Sequence, residues 1–460
     1  MVPDFVGLSI AQISDHLRRR EFSAVELSSF CIDRARRMQP VSNSFIRIEA
    51  ESAIRAAERA DDEISRGRQR SPLHGVPLAH KDVFEQAGQV RSVGVKFHFP
   101  RSTETAAVIG RLDCAGAINV GALNLDELCS TGIGLNRAFG RCRNPRHCKY
   151  IPGGSSSGSG ASVADRVVFA SLGTDTGGSI RWPAAMCGVV GLKPTNGLVS
   201  TRGVFPLSRT LDCVGPLARS VTDCALVLQQ IVACDTRNLS EWTGKIARFL
   251  NTSACKLRDI RIGIAVGDVF EDIEPGLARC LDEVTYAFLT LGAKLTKCRV
   301  PRMGLVNELH TVVRCYEATL MHGKIAERHR NELLESTIDS LSAGSTISSA
   351  QYEDAISKRY PLLKEFVCDV LGVVDVLFLP MLPRIAPTLE AVTENLSTVD
   401  LLLGPYAVFS RFASYLGIPS VSIPCSFSRE GLPYAFQLCG RPFAEDVLFT
   451  VGRAFERTFW

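Results

Sequence analysis

From Ser9 to about Gly67, apolar residues recur at spacings of three and four with arginines between them, in SIAQISDHLRRREFSAVELSSFCIDRARRM and then AESAIRAAERADDEISRG. That period predicts amphipathic surface helices over about residues 8–67. Further along, the pattern changes. PLHGVPLAHKDVFE carries a short apolar run that ends in charge, and AVIGRLDCAGAINVGALN reads as a helix handing over to a strand. SVADRV and VVFASLGT repeat that step, and VTDCALVLQQIVA, IRIGIAV, LDEVTYAFLTLGAKLTKCRV and VVDVLFLPMLP extend it. Alternation of this kind predicts an α/β chain with a large sheet covered by helices on both faces. From about Leu305 to Phe366 the chain is dense in charge, helix-like and without strand runs, so it is expected to be an insertion or lid. Its histidines, His310, His322 and His329, are expected to be solvated helix residues and not ligands. The sequence has no internal repeat and no long low-complexity linker.

Composition narrows the class. With 460 residues, 46% apolar and 22% charged, the chain is an ordinary globular protein, long enough for two or three domains by length alone. Its net charge of +4, from 52 basic and 48 acidic residues, is too small and scattered for a nucleic-acid or membrane surface. A small neutral partner fits better. No run of 18 apolar residues occurs, and MVPDFVGLSIAQISDHLRRR lacks a basic segment followed by an apolar one. Neither membrane span nor signal peptide is expected, and the cytoplasm is the default location. The 16 cysteines are spread singly with no CxxC pair. Cys142 and Cys148 flank NPRH, but His147 alone does not complete a zinc site, so reduced thiols and no metal are expected.

Two glycine- and serine-rich stretches carry the chemistry. YIPGGSSSGSGAS, residues 150–162, would suit a flexible linker, a phosphate loop or part of an active site. It runs directly into a second such turn embedded in apolar segments, which disfavours a linker. It lacks the lysine of a phosphate loop, and Gly158 and Gly160 give only half of GxGxxG. It matches GxSxG at Gly154 to Gly158, but NPRHCKYIP supplies no strand for a nucleophile elbow. In the second stretch, GTDTGGSIR, the amides of Thr176, Gly177, Gly178 and Ser179 can point at one spot, as an oxyanion hole requires, with Ser179 as nucleophile beside them. Read alone, it is equally a tight glycine turn without a chemical role. A serine nucleophile needs a base. None of the eight histidines has a triad-like context. Lys81, just after an apolar run in GVPLAHKDVFE, is the better candidate if burial favours its neutral amine. Read alone, a lysine beside an aspartate is more often a surface pair.

Together these pieces resemble the amidase signature family. GGSSSGSGASVADRVVFASLGTDTGGSIRWPAAMCGVVGLKPT is similar to that family's signature, and HGVPLAHKD to its lysine motif. The resemblance continues through LNLDELCSTGIGLN, GVFPLSRTLDCVGPLARSVTD, GIPSVSIPCSF and GLPYAFQLCGRPF, so it covers essentially the whole chain. It implies a Ser-cisSer-Lys triad of Ser179, Ser155 and Lys81, with Ser155 held across a cis Gly154-Ser155 peptide, 24 positions before Ser179. It implies an oxyanion hole at the amides of residues 176–179, with Gly154, Asp175 and Arg181 bracing the site. It further implies one α/β/α domain over 1–460, with a central mixed, mostly parallel sheet, a signature core at about 70–235 and a variable helical region at about 305–370. No cofactor and no metal are implied. The expected partner is a small-molecule amide, with no nucleic acid and no membrane, and with room for a homodimer or small accessory subunit. Gly160 and the pair Asp165-Arg166 depart from the family pattern, so the helix after the serine loop is expected to be less regular. The leading reading is an amidase that releases ammonia or an amine through an acyl-enzyme. GVFPLSRTLDCVGP looks more like stand-alone amidases than like the glutaminase subunit of a tRNA-dependent amidotransferase, which is the alternative. A silent scaffold of the same fold is a third.

Overall fold

The computed structural model describes residues 5–97, 99–232, 244–246, 248–250, 256–270, 272–394 and 399–459. Eleven strands form one sheet: β1 (Phe45–Ile48), β2 (Pro77–Lys81), β3 (Ile118–Leu123), β4 (Ala170–Asp175), β5 (Val190–Lys193), β6 (Cys213–Ala218), β7 (Arg261–Val266), β8 (Lys294–Arg299), β9 (Val376–Pro380), β10 (Ser420–Phe427) and β11 (Pro433–Gly440). Their order is β1-β3-β2-β4-β6-β5-β10-β11-β9-β7-β8. The α/β reading and the mixed sheet hold. The expectation of a mostly parallel sheet does not, because six of the ten pairings are antiparallel and four are parallel. Parallel neighbours need a crossover, and the chain supplies one where a helix separates β2 from β3 and β7 from β8. β5 runs to β6, and β10 to β11, with no intervening helix, so those neighbours pair antiparallel.

The helices follow local signals. The first two, Ile10–Arg19 and Ala24–Ser42, start from capping boxes in which Ser9 pairs with Gln12 and Ser23 with Glu26. A third spans Ala50–Ser65. The predicted helical stretch is broken by β1, whose FIRI segment takes the sheet edge against β3. Central strands β2, β4, β5, β6, β9 and β11 are buried throughout, as expected for a sheet covered on both faces, while edge strand β8 is mostly exposed. The region expected to be helical is so: Met303–Arg328, Glu335–Ser342 and Ser349–Asp369. The first of these packs against the other two and against Val399–Leu416.

This packing overturns the expectation for two histidines. His310 and His322 are buried, at 0% and 4% exposure, because the helix Met303–Arg328 has protein on more than one side. His329, beyond its end, keeps a partly exposed side chain and bonds Glu332.

The serine loop is no linker. Every residue from Ile151 to Val163 is buried, and the loop leads into the helix Ser157–Ala164, which packs on β4 and on the helix Arg181–Cys187. Gly160 permits that contact, since a Cβ there would lie 2.8 Å from the Pro183 carbonyl oxygen. The helix runs without a break and ends at Asp165, followed by Arg166 at φ 55°. The departures from the family pattern thus leave the helix regular and mark its end. Among the described residues no helix is long and apolar enough to cross a membrane.

Candidate active site

The sheet brings the predicted residues together at the carboxyl ends of two adjacent parallel strands, β2 and β4. Lys81 closes β2 and is 1% exposed. Its Nζ donates to Ser155 Oγ and to Thr174 Oγ1, each at 2.8 Å. Thr174, near the end of β4, carries no signal that sets it apart in the sequence. The Gly154-Ser155 peptide is cis, as the resemblance implied. Ser155 is 1% exposed, and its carbonyl accepts the Asp126 N–H at 3.2 Å. Gly154 has no room for a side chain, because a Cβ would lie 2.6 Å from Asp126 Oδ1. The next residue, Ser156, ties the two motifs together. Its N–H donates to the Ser179 carbonyl at 3.2 Å, and its Oγ bonds both the carbonyl and the N–H of Thr174 at 3.2 Å.

The turn from Thr176 to Ser179 is pinned through its carbonyls. The Thr176 oxygen lies 3.0 Å from His310 Nε2, and that of Gly177 accepts from Ser410 Oγ at 2.6 Å. The carbonyl of Gly178 accepts from the Trp182 N–H at 2.7 Å, and that of Ser179 from Ser156. With four successive carbonyls held, the amides are fixed too. The N–H groups of Thr176, Gly177 and Ser179 have no hydrogen-bond partner among the described residues. Gly178 departs from the expectation. Its N–H donates to Asp175 Oδ1 at 2.9 Å, so it is committed to the brace and leaves the predicted set of oxyanion donors.

Asp175 and Arg181 form that brace, both fully buried. The carboxylate also receives the N–H groups of Ile180 and Arg181, and the guanidinium reaches Ser414 Oγ at 2.8 Å. Burial alone pushes the Asp175 carboxyl up, but the Arg181 charge and its hydrogen bonds bring it down to about 2. Two further carboxylates, buried Asp126 and partly buried Asp212, stand near Lys81. Asp126 accepts from Thr131 Oγ1, Ile133 N and Gly134 N, each at 2.8 Å, and burial raises it to about 6 against those bonds and the Lys81 charge. Asp212 accepts from Thr176 Oγ1 at 2.6 Å and is raised to about 6, again by burial. Burial lowers His310 to about 3, with the Arg411 charge adding to the effect, so it is a neutral strut for the loop.

A cavity of about 70 Å³, open to solvent, lies on this arrangement. Gly154, Ser179 and the loop 176–178 form its inner wall, Cys129 to Gly132 one side, and Trp182, Leu207, His310, Leu403 and Ala407 most of the rest, with Arg314 and Arg411. Ser179 is only partly buried, so its hydroxyl is reachable from this space. Among the described residues, no group of three or more His, Cys, Asp or Glu side chains is placed to hold a metal ion.

The Amidase family's sequence profile matches residues 26–449. The chain belongs to that family. It is therefore an amide-hydrolysing enzyme of the amidase signature type. Its curated relatives include a glutamyl-tRNA(Gln) amidotransferase subunit of Geobacter metallireducens, 32% identical over 99% of this chain and 98% of the relative. Among solved structures, an amidase is 28% identical with a TM-score of 0.86, covering 98% of this chain and 100% of that one. The peptide amidase of Stenotrophomonas maltophilia is 25% identical with a TM-score of 0.84, covering 99% and 98%.

Proposed function

We propose that the chain cleaves a carboxamide C–N bond through an acyl-enzyme on Ser179, with Ser155 and Lys81 relaying the proton. The carrying observation is the 2.8 Å contact between buried Lys81 and Ser155, set behind a cavity wall that holds Ser179 and three amides with no hydrogen-bond partner among the described residues. In its amine form Lys81 takes the Ser155 proton, while Ser155 takes that of Ser179 as the Ser179 oxygen attacks the carbonyl carbon. Negative charge on the carbonyl oxygen meets the amides of Thr176, Gly177 and Ser179, whose directions are fixed before substrate arrives. The proton returns through Ser155 to the leaving nitrogen. Water then attacks the ester by the same relay and frees the acid.

Two settings suit this chemistry. The curated relative is by name part of an enzyme acting on glutamyl-tRNA(Gln), which favours the glutaminase reading over the stand-alone one that leads in the sequence analysis. That name also removes the ground for expecting no nucleic-acid partner. The stand-alone setting keeps one support in the site: among the described residues that line the cavity there is no carboxylate to receive the ammonium group of glutamine. Ammonia release from glutamine and from a panel of aliphatic, aryl and ureido amides by the purified chain tests both. Turnover of simple amides by the chain alone supports the stand-alone enzyme. Turnover of glutamine that appears only with partner proteins and tRNA supports the glutaminase. Release of ammonia at an unchanged rate by Ser179→Ala would overturn the acyl-enzyme itself.

A further inference from the structure

We propose that Asp212 is a positioning residue of the reaction, whose carboxylate favours the ammonium that forms on Lys81 when the amine takes the Ser155 proton. The inference rests on the relay proposed above and adds the group that sets how strong a base Lys81 is. The sheet supplies the geometry. β4 lies between β2 and β6, and Lys81 closes β2. The last pairs of β4 with β6 are Thr174 with Val214 and Asp175 with Cys213, so the next step outward brings Thr176 opposite Asp212. Side chains alternate along an extended chain, which puts Thr174 and Thr176 on one face and Asp175, with its Arg181 partner, on the other. From the β2 side, Lys81 Nζ donates to Thr174 Oγ1 at 2.8 Å; from the β6 side, Asp212 Oδ1 accepts from Thr176 Oγ1 at 2.6 Å. Cation and carboxylate thus approach one face of β4 from opposite sides, each held by its own threonine.

The two oxygens of Asp212 have separate tasks. Oδ2 accepts the N–H groups of Leu207 and Ser208 at 2.8 and 3.1 Å, which holds the carboxylate in place, while Oδ1 anchors Thr176 in the oxyanion turn. The Lys81 charge pulls the Asp212 carboxyl down against the burial that raises it to about 6, and by reciprocity the carboxylate favours the ammonium over the amine. The other titratable groups facing this pair are Asp126, engaged by Thr131, Ile133 and Gly134, and the thiols of Cys129 and Cys213, which burial keeps protonated. Asp126 also fills the space beside Gly154, so its loss would disturb the serine loop itself. Asp212 is the carboxylate whose charge can be removed with the loop left in place. It does for an ammonium what the carboxylate of a serine triad does for an imidazolium: it stabilises the charge that forms and takes no proton.

Asp212→Asn removes the charge and keeps the shape, since the amide oxygen accepts from Leu207 and Ser208 and the NH2 donates to Thr176 Oγ1, whose hydroxyl turns. The readout is the second-order rate of Ser179 labelling by a fluorophosphonate against pH, which reports the base of the free enzyme. We expect the rising limb to move about one pH unit lower in Asp212→Asn. Above the limb the rate falls roughly 3- to 10-fold, because a less basic amine is a weaker general base. Thr176→Val is the counterpart: it cuts the tether and leaves the charge on Leu207 and Ser208, so its rate falls and its limb stays at the parental pH. An unmoved limb in Asp212→Asn, in a variant that melts as the parent does, overturns the inference. So does a limb that moves by about one pH unit in Thr176→Val, which would make the tether and not the charge responsible, and this arm stands even where the asparagine variant does not fold. A parent with no rising limb contradicts Lys81 as base, and only in that case does the relay fall together with Asp212.

Discussion

Replacing Asp175 by asparagine removes one negative charge and inverts half of a crowded acceptor. Oδ1 receives the Gly178 N–H at 2.9 Å and Arg181 Nη2 at 3.0 Å, while Oδ2 receives Arg181 Nε at 3.0 Å and the N–H groups of Ile180 and Arg181 at 3.2 and 3.4 Å. An amide can accept on one side only, and its NH2 then faces donors on the other. Arg181, fully buried, would be left with a charge that Ser414 and Gln437 cannot neutralise. Breaking a buried pair from one side costs about 3–5 kcal/mol, a large part of the roughly 5–15 kcal/mol that holds a typical domain together. The ionisation is consistent with this scale: the Asp175 carboxyl stands at about 2 in place of its ordinary 3.8, a shift of order 2 kcal/mol. Because the folded value lies below the unfolded one, that contribution is present above about pH 4 and is lost as pH falls toward 2. Urea denaturation followed by tryptophan fluorescence should therefore give a stability gap between parent and variant that is level from pH 5 to 8 and shrinks below pH 4. Labelling of Ser179 by an activated fluorophosphonate should slow roughly 100-fold, as expected when an oxyanion turn loses its anchor. A gap under about 1 kcal/mol at pH 7, or one indifferent to acid, would refute the brace.

Three further outcomes are expected. Thr174→Val deprives buried Lys81 of one of its two 2.8 Å acceptors, so kcat for a good amide falls roughly tenfold with KM little changed, and the denaturation midpoint drops by an amount matching about 1–3 kcal/mol; unchanged kcat would remove Thr174 from the site. Lys81→Arg loses about 100- to 10,000-fold of amide turnover, because a guanidinium does not give up its proton at working pH, whereas near-parental rates would reduce Lys81 to an electrostatic role. Glu456 accepts the Val221 N–H with both oxygens and is raised by burial from 4.5 to about 8. Its folded value lies above the unfolded one, so its contribution is full below about pH 4.5 and is lost as pH rises through 8. The parent Tm measured by calorimetry should fall between pH 5 and 8 more steeply than that of Glu456→Gln, and parallel curves would exclude this group.

Lys81, Ser155 and Ser179 are legible in the sequence through the resemblance to the amidase signature, since read alone their motifs leave a glycine turn and a surface lysine equally open, and the loop containing Ser155 betrays itself by running into a turn embedded in apolar segments. The supports are less visible because they come from elsewhere in the chain. His310 acts on the turn from 134 positions away. Its burial is readable from its own helix, where Val306, His310, Val313 and Glu317 recur at helical spacing on one buried face. Charge density in the region conceals that stripe. Thr174 sits inside the quoted GTDTGG motif, where nothing in the sequence sets its hydroxyl apart from that of Thr176. Asp126 lies within LNLDELCSTGIGLN, where no pattern tells that its carboxylate will organise the backbone from Thr131 to Gly134 and fill the space beside Gly154. The directions of β5, β6, β10 and β11 escape a reading of the sequence for a simpler reason: helix–strand alternation reports crossovers, and these strands are joined without one.

The most direct test is to mix enzyme with a slowly deacylated amide, quench in acid within one turnover, and map the acyl group by peptide mass spectrometry. We expect the acyl mass on the peptide at Ser179, forming at the same rate as ammonia appears and absent from Ser179→Ala. An adduct on Ser155, or a full equivalent of ammonia with no acyl-peptide at any time point, would contradict the mechanism.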